Sequence, residues 1–379
     1  MNLITYHSEE GTTQYVFIDK NEIVVEHPTF FIRSKLKSSL YSIKSVHHYA
    51  KVLKYFCSYL ELTFPNLSCD EIICSIDGMF ISEYFKYLSD CNLSAATIRN
   101  RDAIIKEFME WLTTIEGGKV KDNTGYIKNK YKTPKPNRKI PKILMLDEII
   151  QLINSLHEES QRCIIHFLYD TGIRVSELPR VKIKDIPNLS EYSSEINYFK
   201  LRVDGSKGRG GKTKERLTYI SRAMIQRVNR LHTQNKKYRK ASLIFKENMP
   251  CFLNTHGGEI TENAIRALLR QAALRSKLDP KKYSAHKYRH SFAVSILSSE
   301  YDKEFTNKLV MTKEALGHNQ IKSTEIYTSI APIAIENLQM KNKSHDINFR
   351  YEASQRIYEE TFKPQKNHIE KRGRNNGRK

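Results

Sequence analysis

The sequence has few cysteines, no long apolar run, and few acidic residues for its number of basic ones. Its 379 residues include six cysteines, and no two of them form a C-x-x-C pair. This pattern argues against a zinc knuckle or a disulfide framework and favours a reducing compartment. No stretch approaches the roughly 18 to 20 consecutive apolar residues of a membrane-spanning helix, and the first ten residues lack the features of a secretory signal. We therefore expect a cytoplasmic protein without a membrane segment.

The shortage of acidic residues leaves a large positive charge. Lys and Arg number 63 against 42 Asp and Glu, which gives a formal net charge of +21. Nucleic acid, an acidic membrane surface and an acidic protein are the three partner classes that such a charge could serve. A membrane binder would concentrate the charge on one amphipathic helix, whereas here it is spread through segments that read as folded. Nucleic acid is therefore the favoured partner.

The N-terminal half reads as a short hairpin followed by a helical domain. Residues 1–30 contain two β-prone runs, Tyr15–Ile18 and Glu22–Glu26, and residues 31–126 carry apolar side chains at helical spacing. Arg99 and Arg101 fall in the early turns of a helix that Ser94 can cap. They are candidate DNA-binding residues, with an ordinary solvated helix face as the alternative.

A basic connector, residues 127–142, is predicted between two domains. It contains three prolines and no acidic residue, and proline disfavours both helix interiors and strand pairing. An extended basic segment could follow a phosphate backbone, and a merely soluble linker is the alternative. The candidate DNA contacts in it are Lys135, Arg138 and Lys139.

The C-terminal half reads as a mainly helical domain, residues 143–343, with one small antiparallel sheet, followed by a basic tail, residues 344–379. Alternating residues predict two strands, Phe199–Val203 and Lys214–Ile220, joined by a glycine-rich turn. The fold class is therefore mainly α with a small antiparallel β-sheet (α+β). The predicted helices are Leu146–Leu156, Gln161–Tyr169, Arg222–Lys237, Glu262–Ser276, Ala285–Ser299 and Ala331–Met340.

Three short motifs could carry chemistry. His286, Arg289 and His290 are spaced to share one helical face, but a zinc enzyme of the H-E-x-x-H kind needs Glu where this sequence has Lys287. A buried guanidinium also calls for an anionic partner. We therefore expect no metal and no cofactor at this motif, and an anionic ligand fits better.

The second motif is T-G-I-R-V-S-E-L, in which Gly172 should end one helix and Arg174 should begin another. Glu177 then lies one turn later and can hold the guanidinium, although a simple surface ion pair is the alternative. The third motif is L-G-H at 316–318, followed nine residues after His318 by Tyr327. A tyrosine that attacks a phosphodiester must lose a proton from a pKa of about 10 and needs fixed positive charge around the phosphate. The arginines, histidines and a lysine can supply that charge.

Taken together, in order and spacing, these motifs resemble the tyrosine recombinases, the integrase family of site-specific DNA recombinases, from about residue 35 to residue 340. The resemblance implies an N-terminal core-binding domain and a C-terminal catalytic domain. It implies that Arg174 and Arg289 grip the scissile phosphate, that His286 handles the proton of the nucleophile, and that His318 hydrogen-bonds the phosphate. Tyr327 is then the nucleophile that forms a 3′-phosphotyrosine link.

The resemblance also implies supporting residues and partners. Glu177 and His290 would support the arginines, and Lys207 in the glycine-rich turn would protonate the leaving oxygen, with Lys212 as a competing choice. The partners implied are double-stranded DNA, three further copies of the chain in a homotetramer on DNA, and an accessory directionality factor. A C-terminal segment such as 331–340 would dock on a neighbouring copy, and the protein would associate with the nucleoid.

Other functions on the same sequence features are a catalytically silent DNA-binding protein, a telomere resolvase and an enzyme resembling the type IB topoisomerases. The last two would share the chemistry and differ in their product. A metal-dependent transposase or nuclease would need two or three convergent carboxylates, and no Asp/Glu cluster has a suggestive spacing.

Overall fold

The computed structural model describes residues 1–7, 13–38, 40–137, 143–205, 215–297, 305–317, 324 and 349–363. These residues form two compact units, the first containing those up to 137 and the second those from 143 onward. Both units are mainly helical, and each carries one small antiparallel sheet. The fold class predicted from the sequence is therefore confirmed.

The first unit is a helical bundle. Serine or aspartate side chains at four helix starts, Ser42, Ser68, Asp77 and Ser94, accept hydrogen bonds from backbone N–H groups of the first turn. The apolar faces meet in one buried cluster. The helices are α1 (Glu26–Lys37), α2 (Ile43–Thr63), α3 (Cys69–Ser75), α4 (Gly78–Asp90) and α5 (Ala95–Leu112).

A three-stranded antiparallel sheet packs on this bundle. Its strands, β1 (Asn2–His7), β2 (Thr13–Ile18) and β3 (Val24–Val25), pair in the order β1-β2-β3. The predicted hairpin is present as β2 and β3, and Phe17 of β2 lies in the same core as the helices. The outer strand β1 was not predicted, because its largely exposed side chains show no apolar alternation. Helix α1 begins at Glu26, earlier than the predicted Phe31.

The first part of the predicted connector is fastened to the first unit. Asp102 of α5 is fully buried and accepts two hydrogen bonds from Thr133 of this segment and one from Tyr126, which directly precedes the segment. The hydroxyl of Tyr126 donates to it at 3.0 Å, and the backbone N–H and hydroxyl of Thr133 donate at 2.8 and 2.7 Å. Residues 126–133 are therefore held against α5. Arg138 and Lys139 lie outside the described residues.

The second unit packs its helices around a separate apolar core. Strands β4 (Tyr198–Asp204) and β5 (Glu215–Ser221) pair antiparallel, with Leu201 opposite Thr218. The residues that connect them, 206–214, include Lys207 and Lys212 and lie outside the described residues. The helices are α6 (Leu146–Asn154), α7 (Glu159–Thr171), α8 (Arg222–Gln234), α9 (Lys236–Phe245), α10 (Glu262–Arg275), α11 (Ala285–Leu297), α12 (Phe305–Leu316) and α13 (Phe349–Thr361).

The structure divides one predicted helix of this unit and contains another helix that was not predicted. The helix expected over 222–237 is divided at Asn235, whose side chain accepts a hydrogen bond from the N–H of Lys237 (2.9 Å) and so starts α9. The tail expected over 344–379 contains α13. This helix is held by buried polar contacts, including His166 Nε2 to Ser354 Oγ (2.8 Å). The helix predicted at 331–340 lies outside the described residues.

Among the described residues, no helix combines the length and the apolar character that crossing a membrane requires.

Candidate active site

The turn after α7 places Arg174 at the end of a buried helix. Helix α7 ends at Thr171, and Gly172 follows with a φ of +59° and donates its N–H to the carbonyl of Leu168 at 3.1 Å. A Cβ at Gly172 would lie 2.3 Å from the ring of Phe292. Both the positive φ and the close approach therefore require glycine here. The predicted helix breaker sets the direction in which the chain leaves α7.

The helix predicted to begin at Arg174 does not form. Residues 175–177 make a turn, and a short 3-10 helix, Leu178–Arg180, follows. Pro179 has no N–H to continue an α-helical ladder. Glu177 instead folds back on Arg174: its Oε2 accepts a hydrogen bond from the backbone N–H (2.8 Å), and its Oε1 accepts one from Nη1 (2.7 Å).

Glu177 is shared between two arginines. Its side chain has no exposed surface, and its Oε2 also accepts a hydrogen bond from Nη2 of Arg216 on β5 at 2.7 Å. Burial alone would raise the pKa of Glu177, but the hydrogen bonds and charges of Arg216 and Arg174 outweigh it and lower the pKa to about 2. The carboxylate is therefore ionised at any physiological pH and fixes the Arg174 guanidinium from one side.

Helix α11 supplies the second arginine and both histidines. His286, Arg289 and His290 share one face, as predicted, and the two imidazole rings lie 4.2 Å apart at 70°. Arg289 and His290 are buried, whereas His286 is exposed. Desolvation, with the positive charges of Arg289, Lys287 and Arg174, lowers the pKa of His286 below its usual value. His286 is therefore neutral near pH 7 and able to accept a proton.

Three arginines meet at the carboxyl end of α12. Nη1 of Arg216 donates to the carbonyl of Ala315, Nη2 of Arg289 donates to that of Leu316, and Nη2 of Arg174 donates to that of Gly317 at 3.3 Å. Carbonyl groups in the last turn of a helix have no partner within the helix and carry partial negative charge. These carbonyls therefore hold the guanidinium groups of Arg174 and Arg289 at the two residues that directly precede His318 in the sequence.

Gly317 makes this meeting point possible. Its φ is +59°, and a Cβ there would lie 2.5 Å from Cδ of Arg216. Arg289 also contacts the turn after α7, because its Nη1 donates to the carbonyl of Gly172 at 2.9 Å. The two motif glycines thus let the three arginine-bearing segments approach one another.

Of the predicted catalytic and supporting residues, the structure brings five together in the second unit, and the others lie outside the described residues. Among the described residues, no group of three or more His, Cys, Asp or Glu could hold a metal ion. Those brought together are Arg174, Glu177, His286, Arg289 and His290, and those outside the described residues are Lys207, Lys212, His318 and Tyr327.

Two of the candidate DNA-binding residues of the first unit, Arg99 and Arg101, lie against aromatic rings. The guanidinium of Arg99 stacks 3.7 Å from the ring centroid of Tyr131 and donates to the carbonyl of Thr133. That of Arg101 lies 4.7 Å from the ring centroid of Tyr55. Lys135 is exposed. Within the described part of the chain, none of the three basic residues pairs with a carboxylate, so their charge is not neutralised locally.

Sequence reasoning missed Arg216. It belongs to none of the three motifs, and its partners lie 39 and 99 residues away along the chain. No local pattern in the sequence points to this residue, because its acceptors become its neighbours only in the folded chain.

The model of the phage integrase family matches residues 142–332, about half of the chain. The tyrosine recombinase XerD of Staphylococcus haemolyticus is 30% identical over 279 residues, which cover 71% of this chain and 83% of the relative. XerD of Staphylococcus saprophyticus is 28% identical over 309 residues (80% and 93%), and XerD of Rickettsia bellii is 29% identical over 315 residues (79% and 92%).

Solved structures share the fold. A XerH site-specific recombinase in a post-cleavage complex with a palindromic difH substrate aligns with a TM-score of 0.58 and 20% identity, over 86% of this chain and 92% of that one. A lambda integrase dimer bound to a COC′ core site aligns with a TM-score of 0.54 and 15% identity, over 79% and 93%. Both neighbours share the fold of an N-terminal and a C-terminal domain seen here. The chain therefore belongs to the phage integrase family and is a tyrosine-type site-specific recombinase.

Proposed function

We propose that this recombinase cuts and rejoins duplex DNA through a 3′-phosphotyrosine intermediate on Tyr327, without a metal ion. The observation that carries the proposal is the convergence of Arg174 and Arg289 on consecutive carbonyls immediately before His318. Two guanidinium groups held in this way can bind the non-bridging oxygens of one phosphate. They would stabilise the charge that builds up when the phosphorus becomes five-coordinate.

Each step can be assigned to a residue of this chain. The hydroxyl oxygen of Tyr327 attacks the phosphorus as His286 accepts the hydroxyl proton, and the bond from phosphorus to the 5′ oxygen breaks. Lys207, with Lys212 as the alternative, gives the departing oxygen a proton, so that a free 5′-hydroxyl results. Attack by a 5′-hydroxyl of another strand reverses these steps and releases Tyr327. The lowered pKa of His286 supports its part, because a neutral imidazole can take the proton.

We infer that double-stranded DNA is the partner. The solved neighbours named above are complexes with DNA substrates or sites, and this chain has a net charge of +21. Arg99, Arg101 and Lys135, with Arg138 and Lys139, are the proposed contacts of the N-terminal half. Contacts with phosphates should make the affinity for DNA fall with salt, by roughly 0.9 log unit per neutralised phosphate for each tenfold increase.

The proposal extends to the assembly. Exchange of strands between two DNA sites calls for several copies, and we propose a homotetramer on DNA, with an accessory directionality factor as a further partner. The domain limits used here, 31–126 for core binding and 143–343 for catalysis, are part of the same proposal. A nucleoid location would follow from DNA binding.

The test is a nicked suicide substrate, from which the cleaved strand diffuses away and traps the covalent complex. The wild-type protein should form an adduct that survives denaturation, and Tyr327→Phe should form none while it binds DNA as before. Tyr301→Phe is the matched control. An adduct that persists in Tyr327→Phe would refute the assignment of the nucleophile, and loss of cleavage on removal of divalent ions would refute metal independence.

The arginine assignment has its own test. Replacing Arg174 or Arg289 with Ala should slow cleavage by about 100-fold or more, as for the loss of one preorganised donor. A silent DNA-binding protein would bind its site without any adduct, whereas a telomere resolvase or topoisomerase would form the adduct and differ in the DNA product. Product analysis on a plasmid with two sites separates these outcomes.

A further inference from the structure

We propose that Arg216 is a positioning residue of the active site. It links Glu177 to the carboxyl end of α12, so that Arg174 and Arg289 can bind the same phosphate. This inference rests on the proposed function, because it takes the two arginines as the phosphate-binding groups. It concerns a residue of β5 that lies outside every motif that the sequence singled out. All the contacts that support it lie within the second unit.

The first contact is with Glu177. Nη2 of Arg216 donates to Oε2 at 2.7 Å, and the same oxygen accepts the backbone N–H of Arg174 at 2.8 Å. The arginine side chain is only 7% exposed, and the glutamate is not exposed at all. If Arg216 were absent, Glu177 would be paired with Arg174 alone. The full negative charge of the carboxylate would then compete with a phosphate for that guanidinium.

The second contact is with the segment before His318. Nη1 of Arg216 donates to the carbonyl of Ala315, and the side chain occupies the space that the missing Cβ of Gly317 leaves open. One planar guanidinium thus binds a carboxylate with one nitrogen and a helix end with another. Lysine carries its charge on a single nitrogen and cannot reproduce this fixed fork.

The two roles that Arg216 could have, positioning the active site and stabilising the fold, predict different results. A residue that only stabilised the fold would change the melting temperature and would affect cleavage no more than any equally destabilising substitution. A residue that acts through Glu177 should lower the rate of cleavage at unchanged affinity for DNA, and its effect should disappear when Glu177 is also changed.

The experiment compares Arg216→Lys and Arg216→Met with Arg202→Met. Arg202 is the matched control, because it lies on the neighbouring strand and forms an exposed ion pair with Glu215. We expect both Arg216 variants to cleave a suicide substrate about 10- to 100-fold more slowly under single-turnover conditions, since a misplacement of about 1 Å can cost on the order of 100-fold. Their affinity for DNA should change by less than about threefold, as should that of the control.

A double-mutant cycle with Glu177→Gln completes the test. If Arg216 acts through Glu177, the combined variant should cleave at nearly the rate of Glu177→Gln alone. Multiplying effects would overturn the proposal, as would wild-type cleavage by Arg216→Lys. Where Arg216→Met does not fold, the lysine variant decides. Unchanged cleavage by Arg174→Ala would point instead to failure of the proposed function.

Discussion

The substitution Gly317→Ala tests how the site is built. Alanine at a φ of +59° costs about 1 to 2 kcal/mol, because the left-handed conformation crowds Cβ against the backbone. The new Cβ would also lie 2.5 Å from Cδ of Arg216, which is closer than two carbon atoms can approach. Both Nη atoms of the arginine are held, Nη2 by Glu177 and Nη1 by the carbonyl of Ala315. It must therefore give up at least one of these hydrogen bonds.

The expected outcome is a modest loss of stability with a large loss of activity. The free energy of unfolding should fall by about 1 to 2 kcal/mol from the backbone conformation, and lost contacts of Arg216 would add to this. Cleavage should slow by on the order of 100-fold, because Glu177 and the carboxyl end of α12 shift relative to each other. Chemical denaturation gives the first quantity, and the rate at which the covalent adduct forms on a suicide substrate gives the second.

Gly257→Ala is the matched control. Gly257 also has a positive φ, +88°, but a Cβ there would have no heavy atom closer than Cγ of Lys237 at 3.9 Å. It should lose stability for the same backbone reason and keep its rate of cleavage. If Gly317→Ala cleaves as fast as Gly257→Ala, the overlap with Arg216 does not matter and the reasoning fails. A second check is that Gly317→Ala should add little to Arg216→Met.

Three further predictions concern the polar side chains His286, Asp102 and His166. Under conditions that report the free enzyme, the rate of cleavage should fall on the acid side only below about pH 6.5, because the pKa of His286 is lowered and its neutral form accepts the proton. A pH–rate profile checks this, and a loss of activity that begins above pH 7 would contradict it. Asp102→Ala should destabilise the first unit by about 2 kcal/mol and speed hydrogen exchange of the Thr133 amide, because three hydrogen bonds to a buried carboxylate are lost. Unchanged exchange would show that other contacts hold residues 126–133. Burial and the charge of Arg227 lower the pKa of His166 well below 6.5. Below pH 6.5 the unfolded chain therefore binds a proton at His166 that the folded chain does not, and the free energy of unfolding falls by up to about 1.4 kcal/mol per pH unit. His166→Gln should flatten that dependence in denaturation curves recorded between pH 7.5 and 5.5.

Local patterns in the sequence predicted what local physics decides. Gly172 was recognised as a helix end because a left-handed residue after an apolar helix is a local event. The pairing of Arg174 with Glu177 was also found, although the predicted helix between them was wrong, since three residues of separation suffice for the contact even in a turn. The shared face of His286, Arg289 and His290 follows from helical periodicity alone.

Contacts between distant segments could not be predicted in the same way. Helix α13 is anchored by Ser354 on His166 and by Thr361 on Arg227, at separations of 188 and 134 residues. Its own sequence is polar and charged, so its apolar pattern did not distinguish it from a solvated tail. Arg216 was missed for the same reason, because its acceptors become neighbours only when β5, the turn after α7 and the end of α12 come together.

A phosphate could replace the carbonyl groups that Arg174 and Arg289 contact in this structure. Arg289 donates to two neutral carbonyls, those of Gly172 and Leu316, and Arg174 donates to that of Gly317. A phosphate oxygen carries a full negative charge and can accept bidentate hydrogen bonds from a guanidinium, whereas a carbonyl carries only a partial charge, so a phosphate can replace these carbonyls. The carboxylate of Glu177 would oppose this exchange if Arg174 alone neutralised it. Because Arg216 already pairs with Glu177, the two arginines and the glutamate together carry a net positive charge, and Arg174 can bind a phosphate while Glu177 still fixes its orientation.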